Sequence, residues 1–266
     1  MNDLTGKTAV VTASTKGIGL ACADLLAAHG ARVCIAAHND AEGQDCVAAL
    51  REKGRDALFI HFDATRPEDY APMIAAAVRE TGRLDILVNN YGSTDVTKDK
   101  DLLEGDTQTF FAILRNNVQS VYLTCKEAVP HMTERGGSIV NISSIGGVVP
   151  DLSRLAYSVS KAAVNALTQN IALQYARRNI RCNAVLPGFT ATDAALGNMS
   201  ASFRESFLKH VPLGRVGRPE DVAAAVLYYA GDASSYVTGM IHEVAGGYAL
   251  GTPQYADFSG ETRASR

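Results

Sequence analysis

The chain has 266 residues, 47% of them hydrophobic and 20% charged, with a formal net charge of −3. That apolar content suits a sizeable core and argues against disorder over the whole length. The mild acidity argues against a nucleic-acid binder, which carries a basic face. No apolar run approaches the roughly 18–20 residues that span a bilayer, so no membrane partner is expected. The five cysteines, Cys22, Cys34, Cys46, Cys125 and Cys182, are odd in number, widely spaced and form no C-x-x-C. Neither a disulfide framework nor a thiolate metal site is expected. The six histidines form no H-E-x-x-H, so no metal is expected either. The opening MNDLTGKTAVV lacks a basic segment followed by an apolar core, which predicts a cytoplasmic protein without a signal peptide.

Short β-branched runs alternate with longer helical stretches. A strand over Lys7–Thr12 leads into a helix with Ile18, Ala21, Cys22, Leu25 and Leu26 on one face, closed by Gly30. A second strand, Arg32–Ala37, precedes a helix over about Ala41–Lys53, and a third covers Ala57–Phe62. Pro67 and Glu68 open a helix that runs to about Thr81, with Gly82 as its stop. The fourth strand is Leu84–Asn89. Then come a long helical zone over Asp106–Glu134, a strand over Ser138–Ile142, a helix over Leu155–Arg178 and a strand over Ile180–Leu186. A last helix, Glu220–Ala230, precedes a final strand at Met240–Val244.

Strands apolar on both faces belong to a parallel sheet covered on both sides. The strict alternation predicts an α/β fold, a single doubly wound parallel sheet with helices on both faces. No Pro/Gly/Ser-rich linker interrupts it, so one domain over residues 1–266 is expected, with a lid at about 189–214 and a polar tail at about 252–266. In the lid, Leu196, Met199, Phe203 and Phe207 recur at helical steps, as in one amphipathic helix that either covers an apolar ligand or packs on the core.

The first strand ends in Thr12-Ala13-Ser14-Thr15-Lys16-Gly17-Ile18-Gly19. Small residues there let the backbone approach a pyrophosphate at a helix N-terminus. An acidic residue ending the second strand would hydrogen-bond a ribose 2′-OH and favour NAD, whereas a basic one accommodates a 2′-phosphate. The chain has Ala36-Ala37-His38-Asn39-Asp40 there, and Lys16 stands in the phosphate turn, a combination that favours NADP over NAD.

Tyr157-Ser-Val-Ser-Lys161 places a phenol and an ammonium on one helix face. An isolated phenol is a poor base at neutral pH, and a neighbouring cation favours its phenolate. The pattern occurs twice, the other pair being Tyr122 and Lys126. Ser144 precedes Tyr157 just past a strand end, where ligands of doubly wound sheets bind. Thr109 stands at the same spacing before Tyr122 but inside a helical zone. Tyr122 is therefore read as packing.

The ordered series TASTKGIG, Asp63, NNYG at Asn89–Gly92, Asn117, Ser144, Tyr157, Lys161 and Pro187-Gly188 resembles the short-chain dehydrogenase/reductase family over nearly the whole chain. The resemblance implies a Rossmann-type fold, a homotetramer with the last two helices and the tail at an interface, and hydride transfer between a secondary alcohol and NAD(P). Tyr157 would be the general acid/base, Ser144 would hold the substrate oxygen, Lys161 would bind the nicotinamide ribose, and Asn117 would hold a relay water. Ser14, Thr15, Lys16, Gly17, Ile18 and Gly19 would cradle the pyrophosphate, and His38 would face the 2′-phosphate. Asp63 and Ala64 would contact adenine, Asn90 and Gly92 the ribose side, and Pro187, Gly188, Thr190 and Thr192 the carboxamide end. Two positions depart from the family pattern. Ala13 replaces the first glycine, which a negative φ would tolerate, and Tyr91 replaces a small residue near the nicotinamide.

NNVQSVYL, ARRNIRCNAVLPG, VPLGRVGRPED and YVTGMIHEVAGGYALGTPQY extend the resemblance to bacterial bile-acid hydroxysteroid dehydrogenases, with 7α-specificity favoured over 12α. Two other readings are a 3-oxoacyl carrier-protein reductase and a non-catalytic cofactor-binding regulator. The first needs a basic patch, for which Arg177, Arg178 and Arg181 are the candidates. The second conflicts with four filled catalytic positions.

Overall fold

The computed structural model describes residues 3–197, 200–251 and 255. Its strands are β1 Thr8–Thr12, β2 Arg32–Ala37, β3 Ala57–His61, β4 Ile86–Asn89, β5 Gly137–Ile142, β6 Ile180–Pro187 and β7 Ile241–Val244. They form one parallel seven-stranded sheet ordered β3-β2-β1-β4-β5-β6-β7. The helices are α1 Gly17–Ala28, α2 Asp40–Glu52, α3 Tyr70–Thr81, α4 Thr107–Met132, α5 Leu155–Tyr175, α6 Asp193–Gly197, α7 Ala201–Lys209 and α8 Pro219–Ala230.

Alternate residues of β1 to β6 feed two cores. On one face, Val11, Val33, Ile35 and Ile86 pack with Leu26 of α1, Leu50 of α2 and Val226 of α8. On the other, Val10, Cys34, Leu87 and Ile139 pack with Ile74 of α3, Met132 of α4 and Val164 of α5. Burial of each such side chain contributes about 1.5–3 kcal/mol. Strand order reverses between β1 and β4, which opens a crevice at their carboxyl ends. The segments after β1, β4 and β5 therefore meet around one cleft.

The expected elements appear with small shifts at their ends. Pro67–Asp69 forms a 3₁₀ turn before α3, and Gly82 adopts φ 77° at its stop. Helix α5 ends at Tyr175 and continues as a 3₁₀ turn, Ala176–Arg178, because Asn179 turns left-handed at φ 56°. The single lid helix is replaced by two short ones, α6 and α7. Gly197-Asn198-Met199-Ser200 is a run of mostly poor helix formers, and α6 has its own start where the Ala195 N–H donates to Thr192 Oγ1 at 3.2 Å. Met199, the Phe203 side chain and, apart from Tyr255, the 252–266 tail lie outside the described residues.

Candidate active site

The turn after β1 is held from two sides. The Ala13 N–H donates to the Ala36 carbonyl at 2.8 Å, and Asn90 Nδ2 donates to the carbonyls of Ala13 and Thr12 at 2.9 and 3.1 Å. Ala13 adopts φ 51°, not the negative φ expected for a residue replacing glycine. These bonds fix it in a left-handed conformation that costs a non-glycine residue about 1–2 kcal/mol. Gly19 is required by contact, since a Cβ there would lie 2.5 Å from the Ala13 oxygen and 2.6 Å from Asn90 Nδ2. No side chain caps α1 after Lys16, so the N–H groups of its first turn are left for another acceptor. Ser14 is buried with its hydroxyl turned inward onto the Val11 carbonyl at 2.7 Å. Thr192 lies against Gly17, 3.1 Å from the Cβ position there, so the lid begins over this turn. Thr190 donates to the Gly188 carbonyl at 3.2 Å and bridges to Gly217.

At the ends of β1, β2 and β3, Ala13, His38, Phe62, Asp63, Ala64 and Tyr91 line a cavity of about 290 Å³. Asp63 accepts from the Thr65 hydroxyl and N–H at 2.7 and 2.9 Å. These hydrogen bonds, with the nearby His38, hold its carboxyl below the usual range. Tyr91 thus lines the cavity at the Asp63 end of the cleft. Its side chain is half-buried, which raises its phenol above the ordinary value. Asn39 caps α2 by accepting from the Glu42 N–H at 3.2 Å, and Asp40 Oδ1 is 2.6 Å from His61 Nδ1. The carboxylate nearest to β2 is therefore engaged elsewhere. Lys16 and His38 are exposed, and Lys16 borders a separate cavity of about 350 Å³ with Thr15, Glu42 and Asp45.

Beyond β5, Ser144 begins a 3₁₀ turn, its Oγ accepting from the Gly146 N–H at 3.1 Å. Lys161 is only 4% exposed; its Nζ donates to the Ile142 carbonyl at 2.9 Å and stands 5.6 Å from the centre of the Tyr157 ring. A Cβ at Gly92 would lie 3.2 Å from that Nζ. Asn117 Oδ1 accepts from the Ser93 N–H at 2.7 Å, and its Nδ2 donates to the Ser93 carbonyl and to Ser160 Oγ at 3.0 and 2.9 Å. Ser160 Oγ in turn donates to the Tyr157 carbonyl at 2.7 Å. The structure thus gathers Asn117, Tyr157, Lys161 and Ser144 around the end of β5.

Two supports were not found from sequence. Asn89 Nδ2 donates to Asn141 Oδ1 at 2.8 Å, Thr124 to Asn89 at 2.6 Å, and Asn141 to Thr168 at 2.8 Å, a buried network tying β4 and β5 to α4 and α5. Thr124 and Thr168 lie two helical turns below Asn117 and Lys161. The other is Asp99, whose carboxylate accepts from the N–H groups of Ala156 and Tyr157 at 2.8 and 3.0 Å. Its signal was indirect, since α5 starts after Arg154, a residue type that makes no good cap.

Tyr122 is 50% exposed on α4, so it is not packed inside the chain. Thr109 Oγ1 donates to Asp106 at 2.6 Å, a bond at the start of α4. Arg177 and Arg178 are exposed, but Arg181 donates to Ser234 at 2.8 Å and to the Tyr229 and Gly231 carbonyls at 2.8 and 3.2 Å, so the three do not form a patch. In the lid, Phe207 stacks on Tyr248 at 4.9 Å and meets Phe189 edge-on at 5.7 Å. Among the described residues no group of histidine, cysteine or acidic side chains could hold a metal, and no helix is long and apolar enough to cross a membrane.

A family model described as Enoyl-(Acyl carrier protein) reductase matches residues 12–249. The chain belongs to this short-chain dehydrogenase/reductase family. It is 61% identical to a 7α-hydroxysteroid dehydrogenase of Clostridium sardiniense over 97% of this chain and 99% of that protein. It is 51% identical to a 7α-hydroxysteroid dehydrogenase of Paraclostridium sordellii over 98% of each. The solved structure of gox2181 superimposes with a TM-score of 0.89 at 30% identity, covering 93% of this chain and 97% of that one. As a short-chain dehydrogenase/reductase the protein is an oxidoreductase that uses NAD(P). The residues present fit that cofactor: the uncapped α1 terminus suits a pyrophosphate, Gly19 lets the turn before it pack closely against Ala13 and Asn90, and the cavity at Asp63 suits a planar base.

Proposed function

We propose that the protein transfers hydride between NADP(H) and the 7α-hydroxyl or 7-oxo group of a bile-acid steroid. The observation that carries the chemistry is the buried ammonium of Lys161 beside the Tyr157 ring at the strand end that bears Ser144. The steroid, and 7α in preference to 12α, follows from the likeness to the two 7α-hydroxysteroid dehydrogenases.

In this reading Tyr157 exchanges the proton of the substrate oxygen as general acid/base. Ser144 holds that oxygen by a hydrogen bond. Lys161 binds the nicotinamide ribose beside the Tyr157 ring. Asn117 holds the water that passes protons from Lys161 to solvent. When bound, the cofactor supplies or accepts the hydride. Thr15, Gly17, Ile18 and the Ser14 backbone hold its pyrophosphate, Asp63 and Ala64 its adenine, Asn90 and Gly92 its ribose side, and Pro187, Gly188, Thr190 and Thr192 its carboxamide end. The chain acts as one domain with a lid at 189–214, in the cytoplasm, and as a homotetramer. Exposed Phe111 and Tyr122 on α4 and Leu173 on α5 support an interface. The acyl-carrier reading loses support because Arg181 is tied into its own fold.

NADP preference rests on His38 in the cavity beside Asp63 and on the engagement of Asp40 by His61. Replacing Lys16 and His38 with neutral residues is expected to raise KM for NADP(H) by about tenfold while leaving that for NAD(H) within twofold, because a cation on the 2′-phosphate acts only when the phosphate is there. Steady-state kinetics with both cofactors reads this, and equal losses would contradict it.

The substrate class is tested by kcat/KM for a bile acid against a short secondary alcohol. Wild type is expected to prefer the steroid, whose apolar skeleton gains roughly 25 cal/mol per Å² buried, less the cost of ordering. Phe207→Ala removes the ring stacked on Tyr248 and is expected to lower kcat/KM for the steroid by about tenfold, with cofactor affinity unchanged. A wild type that prefers acyl thioesters would overturn the steroid reading.

A further inference from the structure

We propose that Asp99 is a positioning residue for Tyr157, fixing the start of α5 so that the phenol is held in register with Ser144 and Lys161. This rests on the reading of Tyr157 as the acid/base. The first turn of a helix leaves its N–H groups without partners. In α5 the preceding residue, Arg154, lies at φ 57° and gives no side-chain cap. All four leading N–H groups go instead to two residues of the segment after β4. Arg154 donates to the Asp99 carbonyl at 3.1 Å and Leu155 to the Lys100 carbonyl at 3.2 Å. Ala156 and Tyr157 donate to Asp99 Oδ1 and Oδ2 at 2.8 and 3.0 Å.

An ordinary cap offers one oxygen at a solvated helix end. Asp99 is 4% exposed and uses both. A buried carboxylate is tolerated only when its oxygens are satisfied, and the positive helix end adds to the attraction. The Tyr157 backbone is thereby held on both sides, its N–H by Asp99 and its carbonyl by Ser160 Oγ at 2.7 Å. Ser160 is held by Asn117, which also grips both backbone groups of Ser93. The Asp99 N–H donates to the Asp95 carbonyl at 2.8 Å. One stretch, 93–100, thus runs from the amide of Asn117 to the backbone of Tyr157. Displacement of a reacting group by about 1 Å costs on the order of 10²-fold in rate, so a loosened helix start should appear in catalysis before it appears in binding.

The experiment compares Asp99→Ala, Asp99→Asn and Tyr157→Phe, with Asp106→Ala as a control cap. Asp106 accepts from the Thr109 N–H at 2.8 Å at the start of α4 and touches nothing of α5 in the described contacts. Kinetics use a bile acid bearing a 7α-hydroxyl with NADP⁺, per folded site counted by cofactor titration, alongside thermal unfolding. Asp99→Ala is expected to lower kcat by about 10–100-fold with KM for NADP⁺ within twofold, and to enlarge the isotope effect with substrate deuterated at the reacting carbon. Asp99→Asn, which keeps one acceptor and the shape, is expected to recover part of the loss and decides the matter if the alanine variant does not fold. Asp106→Ala is expected to lower Tm with kcat within twofold of wild type. If the Asp99 variants lower Tm but keep wild-type kcat and isotope effect, Asp99 is only a cap and the proposal fails. If Tyr157→Phe itself stays active, the acid/base reading beneath it fails instead.

Discussion

Tyr157→Phe is expected to reduce kcat/KM by at least about 10²–10⁴-fold, the range for removal of a positioned general acid/base. The variant loses one hydroxyl and keeps the ring, the Asp99 and Ser160 bonds to its peptide and the neighbouring Lys161. Its fold and cofactor affinity should therefore match wild type, which thermal unfolding and cofactor titration check. Tyr122→Phe changes the same hydroxyl in the other Tyr-x-x-x-Lys pair, at a half-exposed position on α4. Its activity should stay within twofold of wild type. Near-normal turnover by folded Tyr157→Phe would remove the acid/base assignment.

Gly19→Ala is expected to have the second large effect. Its Cβ would lie 2.5 Å from the Ala13 oxygen, 2.6 Å from Asn90 Nδ2 and 2.8 Å from Ser14 Cα. Two of these three atoms are backbone, so no flexible side chain can absorb the clash. The turn must shift, and with it the Asn90 bonds that hold Ala13 left-handed. Overpacking of this kind costs about 1–3 kcal/mol. The expected result is a lower Tm together with a cofactor dissociation constant raised by at least about tenfold, because the displaced backbone is the surface proposed to meet the pyrophosphate. Unchanged affinity in a calorimetric titration would show that this turn is not the phosphate site.

Periodicity made the alternation of strands and helices legible, because parallel strands are apolar on both faces and their covering helices repeat at 3.6 residues. The Tyr157–Lys161 pair was legible for the same reason: both groups sit on one helix, and Ser144 follows a recognisable strand. Ala13 was not. Its φ of 51° is imposed by Asn90, which is remote in sequence and reaches it only because β1 and β4 are neighbours. Asp99 was missed likewise, since it caps a helix that begins more than fifty residues later. The lid was drawn as one helix because its apolar spacing was weighed above Gly197 and the polar residues after it. Arg181 read as a surface cation, yet burial against Tyr229 and Ser234 gives it a structural task and lowers its guanidinium below the ordinary value. For Ala13, Asp99 and Arg181 the deciding contact was long-range.

The central claim is tested most directly by turnover of bile acids that differ only in their hydroxyls at C3, C7 and C12, each with NADP⁺ and with NAD⁺, and by locating the new oxo group in the product. The predicted result is formation of 7-oxo product with NADP⁺ from every steroid bearing a 7α-hydroxyl, and none from those lacking it. Oxidation that follows the C12 or C3 hydroxyl, or activity on acyl thioesters with none on any steroid, would contradict it.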